Sequence, residues 1–244
     1  MKCMDSKEIV VLPSLCDFEG RLSVPAAFGL FMDAATEHAE KLGFGMSALM
    51  PRGLFWLTVR SKVRFYRRPA MTEKVTVTTW PETPERSRCN RGYAIEQGGN
   101  VLVEGRTEWM VMDLNRNRLV PTDTVLPGDL DISERRVLND PFLRLSEDFS
   151  DAEDLGTFTV RSTDIDVGGH MNNAAYIRAL AAAFTSGEWR DLNIRELEAS
   201  YRTPCFEGET LKIQKREADN HIDIKFSRDN KSIFIARITK SLPS

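Results

Sequence analysis

Apolar residues recur at three-to-four spacing over 24–35, where Phe28, Phe31, Met32 and Ala35 share one stripe, and over 173–184, where Tyr176, Ile177, Leu180 and Phe184 do. That period predicts one long amphipathic helix in each half of the chain. After each helix the pattern changes to two-residue alternation rich in β-branched and aromatic residues. It predicts strands over 55–65, 74–80, 92–96, 101–104 and 107–113, then over 197–202, 210–215, 222–227 and 232–240. Gln97-Gly98-Gly99-Asn100 and Arg228-Asp229-Asn230-Lys231 supply hairpin turns within these runs.

The two halves are copies of one unit. Asp17-Phe18-Glu19-Gly20-Arg21-Leu22-Ser23 and the helix after it align without gaps on Asp166-Val167-Gly168-Gly169-His170-Met171-Asn172 and its helix, and Arg68-Pro69 is expected to answer Thr203-Pro204. A chain of 244 residues has length for one large core or two modest ones, and the repeat decides for two. The expected fold class is α+β: two tandem units over 7–126 and 155–241, each a long helix wrapped by a four- or five-stranded antiparallel meander, which is a hotdog. Residues 127–154, rich in Asp, Glu, Arg and Ser with Pro127-Gly128 and Asp140-Pro141 breaks, read as an exposed linker.

Composition removes several function classes. With 41% hydrophobic residues, 28% charged and a net charge of −3, nothing drives the chain toward nucleic acid. The four cysteines form no C-x-x-C pair and no signal-type start is visible, so free thiols in a reducing, cytoplasmic compartment are expected. His38, His170 and His221 are scattered without Cys partners at metal-ligand spacing, which argues against a metal. The longest apolar runs are far too short to span a bilayer.

Chemistry concentrates in Asp164-Ile165-Asp166-Val167-Gly168-Gly169-His170-Met171-Asn172-Asn173-Ala174-Ala175-Tyr176, which ends a strand and opens a helix. The glycines permit a tight turn, and the helix start offers unpartnered N–H groups and a positive dipole end to a carbonyl oxygen that gains charge during acyl transfer. Asp166 and His170 flank that turn, as a carboxylate and an imidazole able to activate water. The competing reading has Asp166 and Asn172 only capping the helix and His170 only bonding the loop.

In these residues the chain resembles the acyl-ACP thioesterases of bacteria and plant plastids, whose second hotdog carries D-x-D-x-N-x-H-V-N-N-x-x-Y. Asp164, Asp166, His170, Asn172, Asn173 and Tyr176 match in register. Gly20-Arg21-Leu22-Ser23, Ala34-Ala35 with His38-Ala39, Gly53-Leu54 with Trp56, and Thr79-Trp80-Pro81 extend the likeness through the first half. The resemblance implies hydrolysis of fatty acyl-ACP to free fatty acid and acyl carrier protein, without a cofactor. It makes Asp166 the catalytic carboxylate and His170 its imidazole, with Asn172 as a further orienting candidate.

Two positions depart from the family: its Asn is Gly168 here, and the Glu before the retained Cys205 is Pro204. Glu207, Asp33 and Glu37 are candidate replacements for that Glu. Cys205 is a candidate nucleophile, with water attack preferred and a small core residue as the plainer role. Glu19 and Arg21 stand where the second half has Gly168 and His170, so one catalytic centre is expected, in the second half. Phe28, Met32, Trp56 and Tyr176 are candidate acyl-pocket walls.

Arg60, Lys62 and Arg64 alternate onto one strand face and are either a docking surface for an acidic carrier protein or a solvated face. An acyl-CoA substrate, or acyl binding without catalysis, are the other functional readings. Monomer and homodimer are both compatible with two fused hotdogs.

Overall fold

The computed structural model describes residues 3–128 and 130–241. It divides into two compact units, the first ending at Pro141 and the second beginning at Phe142. The first contains β1 (Asp5–Val10), α1 (Val24–Lys41), the short α2 (Met46–Leu49), β2 (Leu54–Phe65), β3 (Lys74–Pro81), β4 (Cys89–Gln97), β5 (Asn100–Asp113) and β6 (Arg118–Val120). The second contains β7 (Glu153–Thr159), α3 (Asn173–Ala182), α4 (Ser186–Asp191), β8 (Ile194–Tyr201), β9 (Thr210–Ala218), β10 (His221–Arg228) and β11 (Lys231–Lys240).

Both units use one antiparallel topology. In the first the strands run β1-β3-β4-β5-β2, with β6 on β5; in the second they run β7-β9-β10-β11-β8. Neither is the simple meander expected from the sequence, because the strand after each helix pairs with the last long strand rather than the next one. Alternation fixes the face a residue takes, not the strand beside it. The turns Gly98-Gly99 and Asp229-Asn230 have positive φ at both central residues, which suits tight hairpins.

Each helix is positioned by its cap. The Ser23 hydroxyl accepts from Ala26 N–H at 3.1 Å, and the Asn172 carboxamide accepts from Ala174 N–H at 2.8 Å. The second helix is shorter than its pattern predicts, 10 residues against 18 for α1. Thr185 and Glu188 form a capping box that starts α4 and redirects the chain. Against the sheets, Phe31 stacks on Tyr93 with centroids 4.8 Å apart, and Tyr176 stacks on Phe234 at 5.1 Å.

Two expected strands are one: β5 runs unbroken through Gly105. This glycine marks a close approach rather than a turn, since a Cβ there would lie 2.4 Å from the buried Phe31 ring. Gly105→Ala should therefore destabilise the protein by about 1–3 kcal/mol, read from urea unfolding, by forcing the Phe31–Tyr93 stack apart. The edge strands β1 and β7 escape pattern reading because their mostly exposed sequences, DSKEIV and EDLGTFT, carry no clean alternation.

Most described residues of the expected linker are exposed, but a few are buried and anchor it. Val137 and Leu138 are buried with Trp80 and Ala94, and the Trp80 Nε1–H donates to the Arg135 carbonyl at 2.9 Å. In the second unit Leu145 and Phe149 are buried on Ile235, with Arg216 and Lys225 over the Phe149 ring. The few apolar residues in this charged segment are what anchor it, and residues 153 and 154 already belong to β7.

Candidate active site

The same backbone turn is built in both units. In the first, Asp17 N–H donates to the Arg21 carbonyl (2.9 Å) and Gly20 N–H to the Asp17 carbonyl (3.0 Å); in the second, Asp166 N–H donates to His170 (2.9 Å) and Gly169 N–H to Asp166 (3.0 Å). Gly20 and Gly169 have φ of 66° and 75°. Each turn then leads into its helix cap, with Ser23 N–H on the Leu15 carbonyl and Asn172 N–H on the Asp164 carbonyl. A Cβ at Gly169 meets nothing within 4 Å, so Gly169→Ala should cost about 1–2 kcal/mol through its left-handed backbone alone. A matching fall in denaturation midpoint would register it.

One register differs from the sequence alignment. Leu22 N–H donates to the Pro69 carbonyl at 2.7 Å, and Met171 N–H to the Cys205 carbonyl at 2.8 Å. Arg68-Pro69 therefore answers Pro204-Cys205, one residue beyond the expected Thr203-Pro204.

The two turns carry different side chains. In the first, Arg68 pairs with the Asp17 carboxylate and donates to Glu19 Oε2 at 2.6 Å. In the second, Glu19, Arg21 and Arg68 are replaced by Gly168, His170 and Pro204. Among the described residues, the half-buried Asp166 carboxylate takes a single hydrogen bond, from Gly168 N–H at 2.8 Å. No described residue accepts from the N–H groups of Val167 and His170. The fold does not use these N–H groups, and Val167 is exposed to solvent.

Around the turn, the His170 ring lies against Phe206, centroids 5.1 Å apart. Sequence reading missed Phe206, an apolar residue in a turn and otherwise exposed. Cys205 is fully buried, and burial pushes its thiol up despite a hydrogen bond from the Tyr176 hydroxyl. A thiol held protonated is a poor nucleophile. The carboxylate beside Cys205 is Glu209, which also accepts from Phe206 N–H at 3.0 Å and pairs with Arg228; Glu207 is exposed. Asn172 serves as the α3 cap, so its carboxamide oxygen is engaged.

The remaining candidates divide between the two units. Tyr176 is a core residue of the second unit, ringed by Tyr201, Phe226 and Phe234, and burial raises its hydroxyl pKa. In the first unit Phe28 is buried, Met32 half-buried, and Trp56 half-buried with its Nε1–H on the Phe44 carbonyl at 3.0 Å. Glu37 pairs with Lys7 at 2.7 Å, and burial raises the nearby Asp33. Arg60, Lys62 and Arg64 do not make an open basic face. Arg60 pairs with its cross-strand neighbour Glu108 at 2.9 Å, Lys62 is buried and donates to the Pro141 carbonyl, and Arg64 pairs with Asp140.

Comparisons with known proteins identify the family and the fold. The model for the acyl-ACP thioesterase N-terminal domain matches residues 6–125, and that for the C-terminal domain matches 148–238. The chain is similar to an acyl-[acyl-carrier-protein] hydrolase FATB3 of Cuphea viscosissima, 23% identical over 75% of this chain and 47% of that one. It is also similar to an oleoyl-acyl carrier protein thioesterase of Coriandrum sativum, 24% identical over 75% of this chain and 54% of that one. It spans about half the length of these curated relatives.

Among solved structures, an acyl-ACP thioesterase from Bacteroides thetaiotaomicron superposes with a TM-score of 0.86 at 22% identity, over 97% of each chain. A 12:0-ACP thioesterase from Umbellularia californica superposes at 0.87 and 18% identity, over 98% of this chain and 97% of that one. The fold is thus the tandem hotdog of the α+β class. Among the described residues no helix is long and apolar enough to cross a membrane. The chain belongs to the acyl-ACP thioesterase family.

Proposed function

We propose that this chain hydrolyses the thioester joining a fatty acyl group to acyl carrier protein, releasing free fatty acid and the carrier thiol. One observation carries the reading. In a chain of this family, the half-buried Asp166 carboxylate of the second turn takes one backbone hydrogen bond among the described residues, and the same turn carries the His170 imidazole, outside ion-pair distance of that carboxylate, and two N–H groups that no described residue accepts.

In this mechanism Asp166 takes a proton from water as the water oxygen attacks the thioester carbonyl carbon. The carbonyl oxygen gains charge and is met by the backbone N–H groups at the turn. The C–S bond then breaks, and the leaving sulfur receives a proton relayed through His170. Water is preferred to Cys205 as nucleophile because burial keeps that thiol protonated. A cytoplasmic location accords with four free cysteines.

The test compares thiol release from carrier-protein and CoA thioesters of one chain length. Faster turnover of the carrier thioester is expected. Equal or faster turnover of the CoA thioester would move the reading to an acyl-CoA thioesterase. Gly168 and Pro204, at the two positions where the family pattern fails, favour a second reading of acyl binding without catalysis. Tight fatty-acid binding with no hydrolysis above background would establish that one.

A further inference from the structure

The internal repeat supplies a natural comparison for the second turn. Asp17 and Asp166 occupy equivalent places, as the matching backbone bonds at Arg21 and His170, Gly20 and Gly169, and Leu22 and Met171 require. In the first unit Asp17 is closed off: its carboxylate accepts from Glu19 N–H at 3.0 Å and from Arg68, which also holds Glu19 and reaches toward the Leu22 carbonyl at 3.5 Å. Its side chain is 9% exposed. Position 68 projects directly onto the turn's aspartate. The hydrogen-bond register makes position 204 its counterpart, and there the residue is Pro, with a ring that reaches no carboxylate and carries no charge.

We propose that the residue at this position decides whether the aspartate of each turn is available: Arg68 locks the first turn with an ion pair, and Pro204 keeps the second open. The first turn is thus the catalytic device in a silenced form, with its carboxylate neutralised as well as its imidazole absent. Pro204 is a positioning residue acting through Asp166. The inference rests on the catalytic reading of Asp166, but the lock itself can be tested without activity.

The test installs the first unit's lock in the second through Pro204→Arg, with Pro204→Gln as an uncharged control of similar reach. The guanidinium should hold the Asp166 carboxyl down, so the acid limb of the pH–rate profile moves about 1–3 pH units lower relative to Pro204→Gln. A base so weakened and paired should also turn over at least about tenfold more slowly at neutral pH, mainly in kcat. Arg68→Ala should leave turnover unchanged, since the first turn takes no part.

Independently of activity, Pro204→Arg should melt higher than Pro204→Gln at pH 7. Because the paired carboxyl has a lowered folded-state pKa, that difference should fade as pH drops through it, and be absent in an Asp166→Asn background. Equal acid limbs and equal turnover for the Arg and Gln variants, or a melting difference that persists with Asp166→Asn, would overturn the lock. A wild-type chain without hydrolase activity but with the Asp166-dependent melting difference would keep the lock and remove the catalytic reading.

Discussion

His170→Ala is expected to lower kcat for thioester hydrolysis by about 10²–10⁴-fold while leaving the melting temperature nearly unchanged. The imidazole is half-buried and its ring lies against Phe206, a residue that is itself exposed, so its removal leaves no cavity in the core. The turn survives because the bond from Asp166 N–H ends on the backbone carbonyl of residue 170, which alanine keeps. Steady-state rates and a thermal melt on the same preparation separate the two effects. A large loss of rate with an unchanged melt is the signature of a group used in chemistry rather than in folding.

The largest expected effect on stability lies outside that turn, at Asp223 on β10. Its side chain is 2% exposed and is held by Arg237 Nε at 2.7 Å, Arg237 Nη2 at 2.8 Å and Arg216 Nη2 at 3.1 Å. Register explains the cluster: Asp223 faces Arg216 on β9 and Arg237 on β11, so one acid sits between two bases on adjacent strands. Burial works to raise the Asp223 pKa, but the two guanidinium groups outweigh it and hold the carboxyl below its usual range.

Asp223→Ala should cost about 3–5 kcal/mol in urea unfolding, because two partly buried cations lose their counter-ion. The pH dependence has a definite sign. A folded-state pKa below the unfolded one contributes stability that is present above about pH 4 and lost as pH falls through the folded value. Wild type should therefore lose stability on acidification more steeply than the variant.

The local devices of this protein are legible in its residues, and the long-range ones are not. The Asp17 and Asp166 turns align because each is encoded within a few consecutive residues, with a glycine where φ must be positive. The answering strand turn was placed one residue off, because α1 and α3 differ in length and only the bonds from Leu22 and Met171 fix the register. The same limit hid the Asp223 cluster, whose members are separated in sequence and meet only through strand pairing. Gly105 looked like a strand break because a sequence does not show that Phe31 lies over it. The charged run at Arg60, Lys62 and Arg64 looked free for the same reason, since Glu108 and Asp140 arrive from elsewhere in the chain.

The measurement that bears most directly on the central claim is release of free thiol and free fatty acid from a ladder of acyl carrier protein thioesters, using the wild-type chain with Asp166→Asn alongside it. Hydrolysis by wild type on at least one chain length, reduced by about 10²-fold or more in a variant that melts like wild type, is the predicted result. Turnover that is absent in wild type across the ladder, or undiminished by Asp166→Asn, would contradict the assignment of hydrolysis to the second unit's turn.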